Sequence, residues 1–267
     1  MNPPYISTQI LENILVVSLI RPEKRNALSF DMVIALGDAV SEVDKYPHAR
    51  AVIVRADGPV FSAGIDIAAL VQMRAEAGEA NAARWLRRGA DRLQYALHLI
   101  ESTEVPVIGA LHGQVIGLGL ELALSFDLRV CTPDCQFSIP ESRMGLVADV
   151  GGTTRLSRTV GPSRAKDMLM TARSLGAEEA LQWGLVNRIS EDGDAFAAAQ
   201  ALAKQIAANA PLAVGMAKRI VDQGDGLDKH SQMAIERWAQ SQLITTDDVV
   251  EAASSFFEKR APNFKGK

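Results

Sequence analysis

The 267-residue sequence has few of the side chains that build disulfide frameworks and metal centres. It contains two cysteines, Cys131 and Cys135, and four histidines that are scattered along the chain. Two thiols without an export signal fit a reducing compartment, so we expect a cytoplasmic protein. A zinc site needs more ligands than these residues supply in one place, so we expect no bound metal ion.

Long apolar runs and basic tracts are also missing. No stretch approaches the ~18 uninterrupted apolar residues of a membrane-spanning helix. The N-terminal segment lacks the basic start, apolar run and cleavage site of a signal peptide. The net charge is −4, and no run of lysines or arginines is placed to neutralise successive phosphates. We therefore expect neither a membrane nor a nucleic acid as a partner.

The composition that is present, 48% hydrophobic and 22% charged, is typical of a soluble globular enzyme. Strand and helix patterns alternate over the first 160 residues, which predicts an α/β fold with crossover connections. Strands are expected at 8–20 (two, around a turn at Glu12 and Asn13), 50–56 and 105–113, and a long amphipathic helix at 81–101. Beyond residue 160 the patterns are helical except for "LVNRIS", and the last 60 or so residues look wholly helical.

The segment "FSAGIDI", residues 61–67, is a glycine-containing loop that runs into a helix. Gly64 permits a tight turn, and the small residues before it leave room for a ligand. Asp66 is placed to cap the following helix, whose free N–H groups would then face an anion or a polarised oxygen. The alternative is an ordinary capped loop with no ligand.

A second junction, "HGQVIGLGLELAL" at 112–124, carries Gly113, Gly117 and Gly119 between a strand and a helix. Glu121 falls in the first helical turn, where the helix dipole favours a negative charge. Dense packing of strand against helix would explain these residues equally well. If the two junctions meet, two backbone N–H groups can converge on one oxygen as an oxyanion hole.

The stretch "SIPESRMGLVADVGG", 138–152, places two more carboxylates, Glu141 and Asp149, among apolar residues. Burying a charge is costly, so this placement indicates a chemical use. Together with Glu121 these carboxylates could act as acids and bases beside an oxyanion hole.

Several segments, in this order and spacing, resemble the enoyl-CoA hydratase/isomerase (crotonase) superfamily from about residue 8 to residue 267. They are "RPEKRNALS", "FSAGIDI", "GQVIGLGLELAL", "DLRVCTPDCQFSIPESRMGLVADVGGTTRL", "GLVNRI" and "FFEKRAPNFKGK". The resemblance implies a spiral of β-β-α units, which we place at 1–200 with the acyl-CoA site. It also implies a helical C-terminal region for oligomerisation, at 201–267, that builds a homotrimer or a dimer of trimers. The implied substrates are acyl-CoA thioesters, and coenzyme A enters as part of the substrate, without a separate cofactor.

The resemblance also assigns roles to residues of the site. The thioester oxygen would be held by the backbone N–H groups of Ile65 and Leu118, although most relatives have glycine at the second position. Glu121 and Glu141 match the two glutamates that hold one water in a hydratase, with the same spacing of 20 residues. They would add that water across a 2,3-double bond, and their proximity should raise the pKa of both carboxyls.

Asp149 leaves other functions open. Hydratases usually have glycine there, whereas Δ3,5-Δ2,4-dienoyl-CoA isomerases have aspartate and use the pair matching Glu141 and Asp149. In those isomerases the acid matching Glu121 is usually aspartate, so this sequence combines features of both. Hydratase is the first hypothesis and dienoyl-CoA isomerase the second. A catalytically silent acyl-CoA-binding or RNA-binding member is the third, with Leu118 as the feature in its favour.

The remaining matches concern coenzyme A and the acyl tail. The adenine is expected near the loop 63–67 and the phosphates near Lys24 or Arg25. Lys259, on the terminal helix, matches a lysine that approaches coenzyme A across a subunit boundary, and Phe256 a phenylalanine near the acyl tail. The residues that the resemblance places around the substrate are Lys24, Arg25, Ala27, Ala63, Gly64, Ile65, Asp66, Ile67, Gly117, Phe256 and Lys259.

Overall fold

A computed structural model describes residues 5–224 and 226–267. The strands are β1 (Ile6–Leu11), β2 (Ile14–Leu19), β3 (Ala51–Ala56), β4 (Val107–Leu111), β5 (Gln114–Ile116), β6 (Leu128–Cys131), β7 (Gln136–Ser138), β8 (Leu175–Gly176) and β9 (Arg188–Ile189). The helices are α1 (Phe30–Ser41), α2 (Ile67–Ala77), α3 (Ala82–Ser102), α4 (Leu118–Ala123), α5 (Gly152–Val160), α6 (Pro162–Thr171), α7 (Ala177–Trp183), α8 (Ala195–Ala207), α9 (Pro211–Gly224), α10 (Lys229–Leu243) and α11 (Asp247–Glu258). The predicted α/β fold is confirmed.

The strands form two sheets. A six-stranded sheet has the order β1-β2-β3-β4-β6-β9, with β1 antiparallel to β2 and every other pair parallel. A three-stranded sheet has the order β5-β7-β8. The chain runs β4-β5-α4 and then β6-β7-α5, and in each unit the first strand joins the large sheet and the second joins the small one. This repetition is the spiral of β-β-α units that the family resemblance implies.

Helices cover both faces of the large sheet, and the side chains of its strands alternate between the two faces. On β3, for example, Val52 and Val54 belong to the main core with α1 and α3, whereas Ala51 and Ile53 pack under α8. Both faces being apolar explains why these strands read in the sequence as short continuous runs of valine and isoleucine. The predicted strands at 8–20, 50–56 and 105–113 and the helix at 81–101 are confirmed.

Parallel pairing of β3 with β4 determines where the two glycine-rich junctions lie. The carboxyl ends of neighbouring parallel strands meet at one edge of the sheet, so the segments that follow them are adjacent. Hydrogen bonds join these segments directly: the N–H of Ser62 donates to the carbonyl of Gln114, and the N–H of Ile116 donates to the carbonyl of Ser62. The topology therefore brings 61–67 and 112–124 together.

Some predicted elements differ from the structure. After residue 160 "LVNRIS" contains only the two-residue strand β9, and a second short strand, β8, was not predicted. The last helix ends at Glu258, and the residues after it form no helix, so the prediction of a wholly helical ending is wrong. Lys259 is the first residue beyond that helix, in a left-handed conformation with φ 53°, and does not lie on it.

The C-terminal helices contact the core through a buried ion pair. Lys218 on α9 lies 2.8 Å from Asp127, which precedes β6, and the lysine side chain is almost entirely buried. The predicted division at residue 200 falls within α8, which packs on the large sheet, and the separation into core and oligomerisation region stays a prediction. In the part of the chain that the structure describes, no helix has the length and apolarity needed to cross a membrane.

Candidate active site

A cavity of about 240 Å³ lies beside the two junctions that follow β3 and β4. It brings together the three carboxylates and the two peptide units singled out in the sequence, and its other walls are apolar. The lining residues are Phe30, Ile65, Leu70, Leu86, Ala90, Leu93, Leu118, Glu121, Glu141, Leu146, Val147, Ala148, Asp149 and Val150.

Glu121 is the most deeply buried of the three acids, with 3% of its surface exposed. It lies in the first turn of α4, and its Oε1 atom accepts hydrogen bonds from the N–H groups of Val150 and Gly152, each at 2.8 Å. Burial raises the pKa of Glu121 to about 7. The charges of Glu141 and Asp149 add to the rise, and the two N–H bonds oppose it. At neutral pH this carboxyl is therefore divided between its protonated and ionised forms.

Glu141 begins a short 3-10 turn, Glu141–Met144, and its carboxylate points toward Gly117. A Cβ atom built on Gly117 would lie 2.5 Å from Oε1 of Glu141, so only glycine leaves room for the acid there. Its Oε2 atom is buried and has no hydrogen-bond partner among the described residues. Burial, with a contribution from the charge of Asp149, raises the pKa of Glu141. A buried oxygen without a partner is costly, and a bound water or substrate would satisfy it.

Asp149 lines the same cavity, and burial of its carboxyl raises its pKa. The backbone at Asp149 and Val150 is held from α3 and α5. Gln94 donates to the carbonyl of Asp149 at 2.6 Å, and Arg155 donates to the carbonyl of Val150 at 2.9 Å. Arg155 is itself held by Glu101 through two hydrogen bonds of 2.5 and 2.7 Å. These contacts position the backbone that binds Glu121.

The two candidate N–H donors each follow a glycine with positive φ. Ile65 follows Gly64, at φ 92°, and Leu118 follows Gly117, at φ 50°. Within residues 5–224 and 226–267, neither N–H donates to a protein acceptor. They lie close together, since a Cβ atom built on Gly64 would be 3.8 Å from the nitrogen of Leu118. Two free donors therefore lie close together, on residues that line the same cavity as the carboxylates.

Leu118 itself does not require the conformation of a glycine. It is not among the described non-glycine residues with positive φ, and its buried side chain lines the cavity. Leucine at this position therefore keeps the N–H and reduces the space beside it.

The comparisons with known proteins agree on one family. The model of the enoyl-CoA hydratase/isomerase family matches residues 9–267. The chain belongs to the enoyl-CoA hydratase/isomerase family. It is 37% identical over 262 residues to "Probable enoyl-CoA hydratase echA6" of Mycobacterium leprae, covering 96% of this chain and 97% of that protein. It is 35% identical over 258 residues to the crotonyl-CoA hydratase of Syntrophomonas wolfei, with 96% of each chain covered.

Solved structures of this family show the same fold. The crystal structure of enoyl-CoA hydratase from Bacillus anthracis superposes with a TM-score of 0.90 at 30% identity, covering 98% of this chain and 100% of that one. The crotonase fold inferred from the sequence motifs is thereby confirmed. As a member of this family the chain is an enzyme of acyl-CoA metabolism.

The segment that carries Lys24 and Arg25 lies against the loop 63–67. The N–H of Ala63 donates to the carbonyl of Arg25, and that of Leu28 to the carbonyl of Gly64. Asn26 holds the turn from inside, because its side-chain amide donates to the carbonyls of Asp57 and Val60. Both cations are exposed, and Ala27 lies next to them. The structure thus places these residues in one surface region beside the cavity.

Asp66 caps α2, as its position in the sequence predicts. Its carboxylate accepts from the N–H of Ala69 at 3.2 Å and from Arg21 at 2.8 Å. The N–H bond and the guanidinium lower the pKa of Asp66 against the opposing effect of burial. Because this carboxylate already has two partners, the loop offers a ligand its backbone groups and the exposed side chain of Ile67.

Phe256 and Lys259 lie outside the cavity of their own chain. Neither lines it, and Phe256 is 78% exposed beside the ring of Phe257. Lys259 is also exposed. Their predicted contacts with the acyl tail and coenzyme A stay predictions that involve a neighbouring subunit.

The apolar wall of the cavity was not predicted from the sequence. Phe30 comes from α1 and Leu70 from α2, and α3 contributes Leu86, Ala90 and Leu93. The three α3 residues have the spacing i, i+4 and i+7 of one helix face, which was the available signal. No sequence pattern indicated that Gln94 and Arg155 would hydrogen-bond to the backbone at Asp149 and Val150.

The raised pKa of Glu121 should make the free energy of unfolding depend on pH. Because the pKa in the folded protein lies above the ordinary 4.5, the folded state binds a proton more tightly than the unfolded chain between about pH 4.5 and pH 7. The free energy of unfolding of the wild type therefore falls as the pH rises through this window. Glu121→Gln keeps the oxygen that accepts from Val150 and Gly152 and carries no charge. The free energy of unfolding of Glu121→Gln minus that of wild type should therefore increase by about 1–3 kcal/mol as the pH rises from about 5 to about 8.

Denaturant unfolding of both proteins at several pH values measures this difference. The matched control is Glu178→Gln, which removes an exposed glutamate from α7. A difference between Glu121→Gln and wild type that is the same at every pH would show that Glu121 does not titrate in this window.

Proposed function

We propose that this enzyme hydrates 2-enoyl-CoA thioesters. The observation that carries the proposal is the placement of Glu121 and Glu141 in one apolar cavity, beside the free N–H groups of Ile65 and Leu118. In this proposal the two N–H groups bind the thioester oxygen and stabilise the negative charge that develops there in the enolate. The N–H groups are fixed by the backbone, so they need little reorganisation during the reaction.

The two glutamates hold the water between them. One ionised carboxylate takes a proton from the water as its oxygen bonds to carbon 3, and the electrons of the double bond move toward the thioester. The enolate then takes up a proton at carbon 2 from whichever of the two carboxyls is protonated, and the thioester carbonyl is restored. A carboxyl with a pKa near 7 suits this exchange, because general acids and bases work best when their pKa lies near the working pH. The two acids titrate as a coupled pair.

Asp149 supports a second candidate function, since it lines the same cavity as Glu141. A dienoyl-CoA isomerase would use these two acids to move a proton between carbons 2 and 6 without adding water. We favour hydration because Glu121 and Glu141 form a complete pair for holding water on their own. Coenzyme A would lie with its adenine at the loop 63–67 and its phosphates near Lys24 or Arg25.

Incubation of the wild type with a 2-enoyl-CoA and, separately, a 3,5-dienoyl-CoA tests the proposal. Hydration removes the absorbance of the enoyl thioester, whereas isomerisation produces the absorbance of a conjugated dienoyl thioester. We expect the first change. The second change alone would establish the isomerase, and tight binding of both thioesters without turnover would establish a silent acyl-CoA-binding protein.

We propose that the enzyme assembles as a trimer or a dimer of trimers. Large apolar side chains on α10, directly after it and on α11 are more exposed than a monomer surface favours. They are Trp238 at 59%, Ile244 at 58%, Phe256 at 78% and Phe257 at 80%. We expect light scattering at micromolar concentration to give three or six times the chain mass. A monomeric mass would contradict this, and with it the position of Lys259 at a neighbour's coenzyme A.

A further inference from the structure

A second cleft, of about 510 Å³, opens between α2 and α3 beside the acyl cavity. Three of its lining residues, Arg84, Arg88 and Arg92, lie four residues apart on α3 and form one row along the helix. We call this space the arginine cleft. Its inner wall includes Trp85 and Phe30, whose rings stack with their centroids 5.8 Å apart.

The three arginines have no oppositely charged or hydrogen-bonding partner among the described residues. All three are exposed, and none forms an ion pair or a hydrogen bond within residues 5–224 and 226–267. Like charges at a spacing of four residues on a helix repel one another and cost stability. A row of guanidinium groups lining a cleft is well suited to bind an anion, and guanidinium binds carboxylate through two parallel hydrogen bonds.

The arginine cleft and the acyl cavity share a wall. Phe30 lines both, and its ring lies against Gly89 on α3, where an added Cβ atom would come 2.5 Å from it. One face of α2 also runs along both spaces, with Leu70 at the acyl cavity and Met73 and Ala77 at the cleft. At a rise of about 1.5 Å per residue, Met73 lies about 4.5 Å and Ala77 about 10 Å along α2 from Leu70, so the cleft begins close to the cavity and extends away from it.

Helix α2 has no fully buried residue, and its half-buried side chains Leu70 and Met73 pack against the core. An acyl chain that continues from the cavity along this face of α2 would pass Phe30 and reach the arginine row. An uncharged chain end gains nothing from guanidinium groups, whereas a carboxylate at that end gains charge-assisted hydrogen bonds.

We infer that the arginine cleft binds a carboxylate at the far end of the acyl chain. The preferred substrates are then 2-enoyl-CoA thioesters of dicarboxylic acids, long enough to extend from the thioester site past Phe30. This inference rests on the proposed function, because it takes the cavity with Glu121 and Glu141 as the place where the enoyl group reacts.

The test compares pairs of 2-enoyl-CoA thioesters of equal chain length, one ending in a methyl group and the other in a carboxylate. The measured quantity is the ratio of their kcat/KM values, carboxylate over methyl, across a series of lengths. We expect the ratio in the wild type to rise above one at a definite length. In the triple variant Arg84→Ala/Arg88→Ala/Arg92→Ala the ratio at that length should fall by about 10- to 100-fold, the worth of hydrogen bonds to a charged group.

The matched control is Arg87→Ala, which removes an exposed arginine of the same helix that does not line the cleft and should leave the ratio unchanged. Arg88→Gln, a single change, gives a second measurement in case the triple variant folds poorly. A wild-type ratio at or below one at every length overturns the inference, as does a ratio that the cleft variants leave unchanged. A triple variant with normal ratio and reduced assembly mass shows instead that the arginines are a subunit contact. Failure to hydrate either thioester contradicts the proposed function itself.

Discussion

Glu141→Gln is expected to lower kcat for hydration of a 2-enoyl-CoA by about 10²–10⁴-fold, the usual worth of general acid–base catalysis. Glutamine has nearly the same shape, so the cavity and the contact with Gly117 persist. It cannot take up and release the proton, and its amide would occupy the place of the unpartnered Oε2 atom. Steady-state kinetics on a folded variant measures the loss, with far-UV circular dichroism as the check on folding.

Asp149→Asn is the matched comparison, because it makes the same chemical change in the same cavity. In a hydratase Asp149 lies beyond the pair that holds the water, and its loss should cost less than roughly tenfold, well below the range for general acid–base catalysis. In a dienoyl-CoA isomerase the two substitutions should have equal effects. Equal and large losses for Glu141→Gln and Asp149→Asn would contradict the hydratase mechanism.

Gly117→Ala is expected to reduce kcat by about 10²-fold or more, because a displacement of about 1 Å in a reacting group can cost that much. The added Cβ atom would lie 2.5 Å from Oε1 of Glu141, so the carboxylate has to move. The same residue has φ 50°, and the peptide N–H of Leu118 follows directly. One methyl group thus disturbs both the acid and the oxyanion donor.

The control for Gly117→Ala is Gly184→Ala. Gly184 also has a positive φ, 78°, but a Cβ atom there would meet nothing within 4 Å, and the residue does not line the cavity. Both variants should lose stability through backbone strain, of about 1–3 kcal/mol each. Only Gly117→Ala should lose activity. If the two variants have the same kcat once both are folded, the close contact between Gly117 and Glu141 does not control catalysis.

The sequence indicated two glycine-rich junctions and three carboxylates, and the structure brings them to one cavity, whereas the roles that the family resemblance gives to Ile65 and Leu118 stay predictions. Gly64 and Gly117 mark positions of positive φ next to peptide N–H groups, and Glu121 occupies the first turn of a helix. Such local features depend on a few neighbouring residues and on the parallel pairing of β3 and β4. They are therefore visible in a single sequence once the motifs are recognised.

The apolar side of the site could not be predicted in the same way. Phe30, Leu70 and Leu93 lie on three different helices and meet only through tertiary packing. The strands β5, β7 and β8 have two or three residues each, too few for a periodicity of two to be detected. The helix boundary before Lys259 depends on a left-handed residue that is not glycine, which is uncommon.

Water labelled with heavy oxygen shows whether Glu121 and Glu141 direct water onto the substrate. The enzyme is incubated with a 2-enoyl-CoA in the labelled water, and the product is analysed by mass spectrometry. We expect one labelled oxygen, bonded to carbon 3, at a rate that Glu121→Gln and Glu141→Gln both reduce and Asp149→Asn largely preserves. A product without label, formed from a dienoyl thioester by a shift of its double bonds, would contradict this expectation.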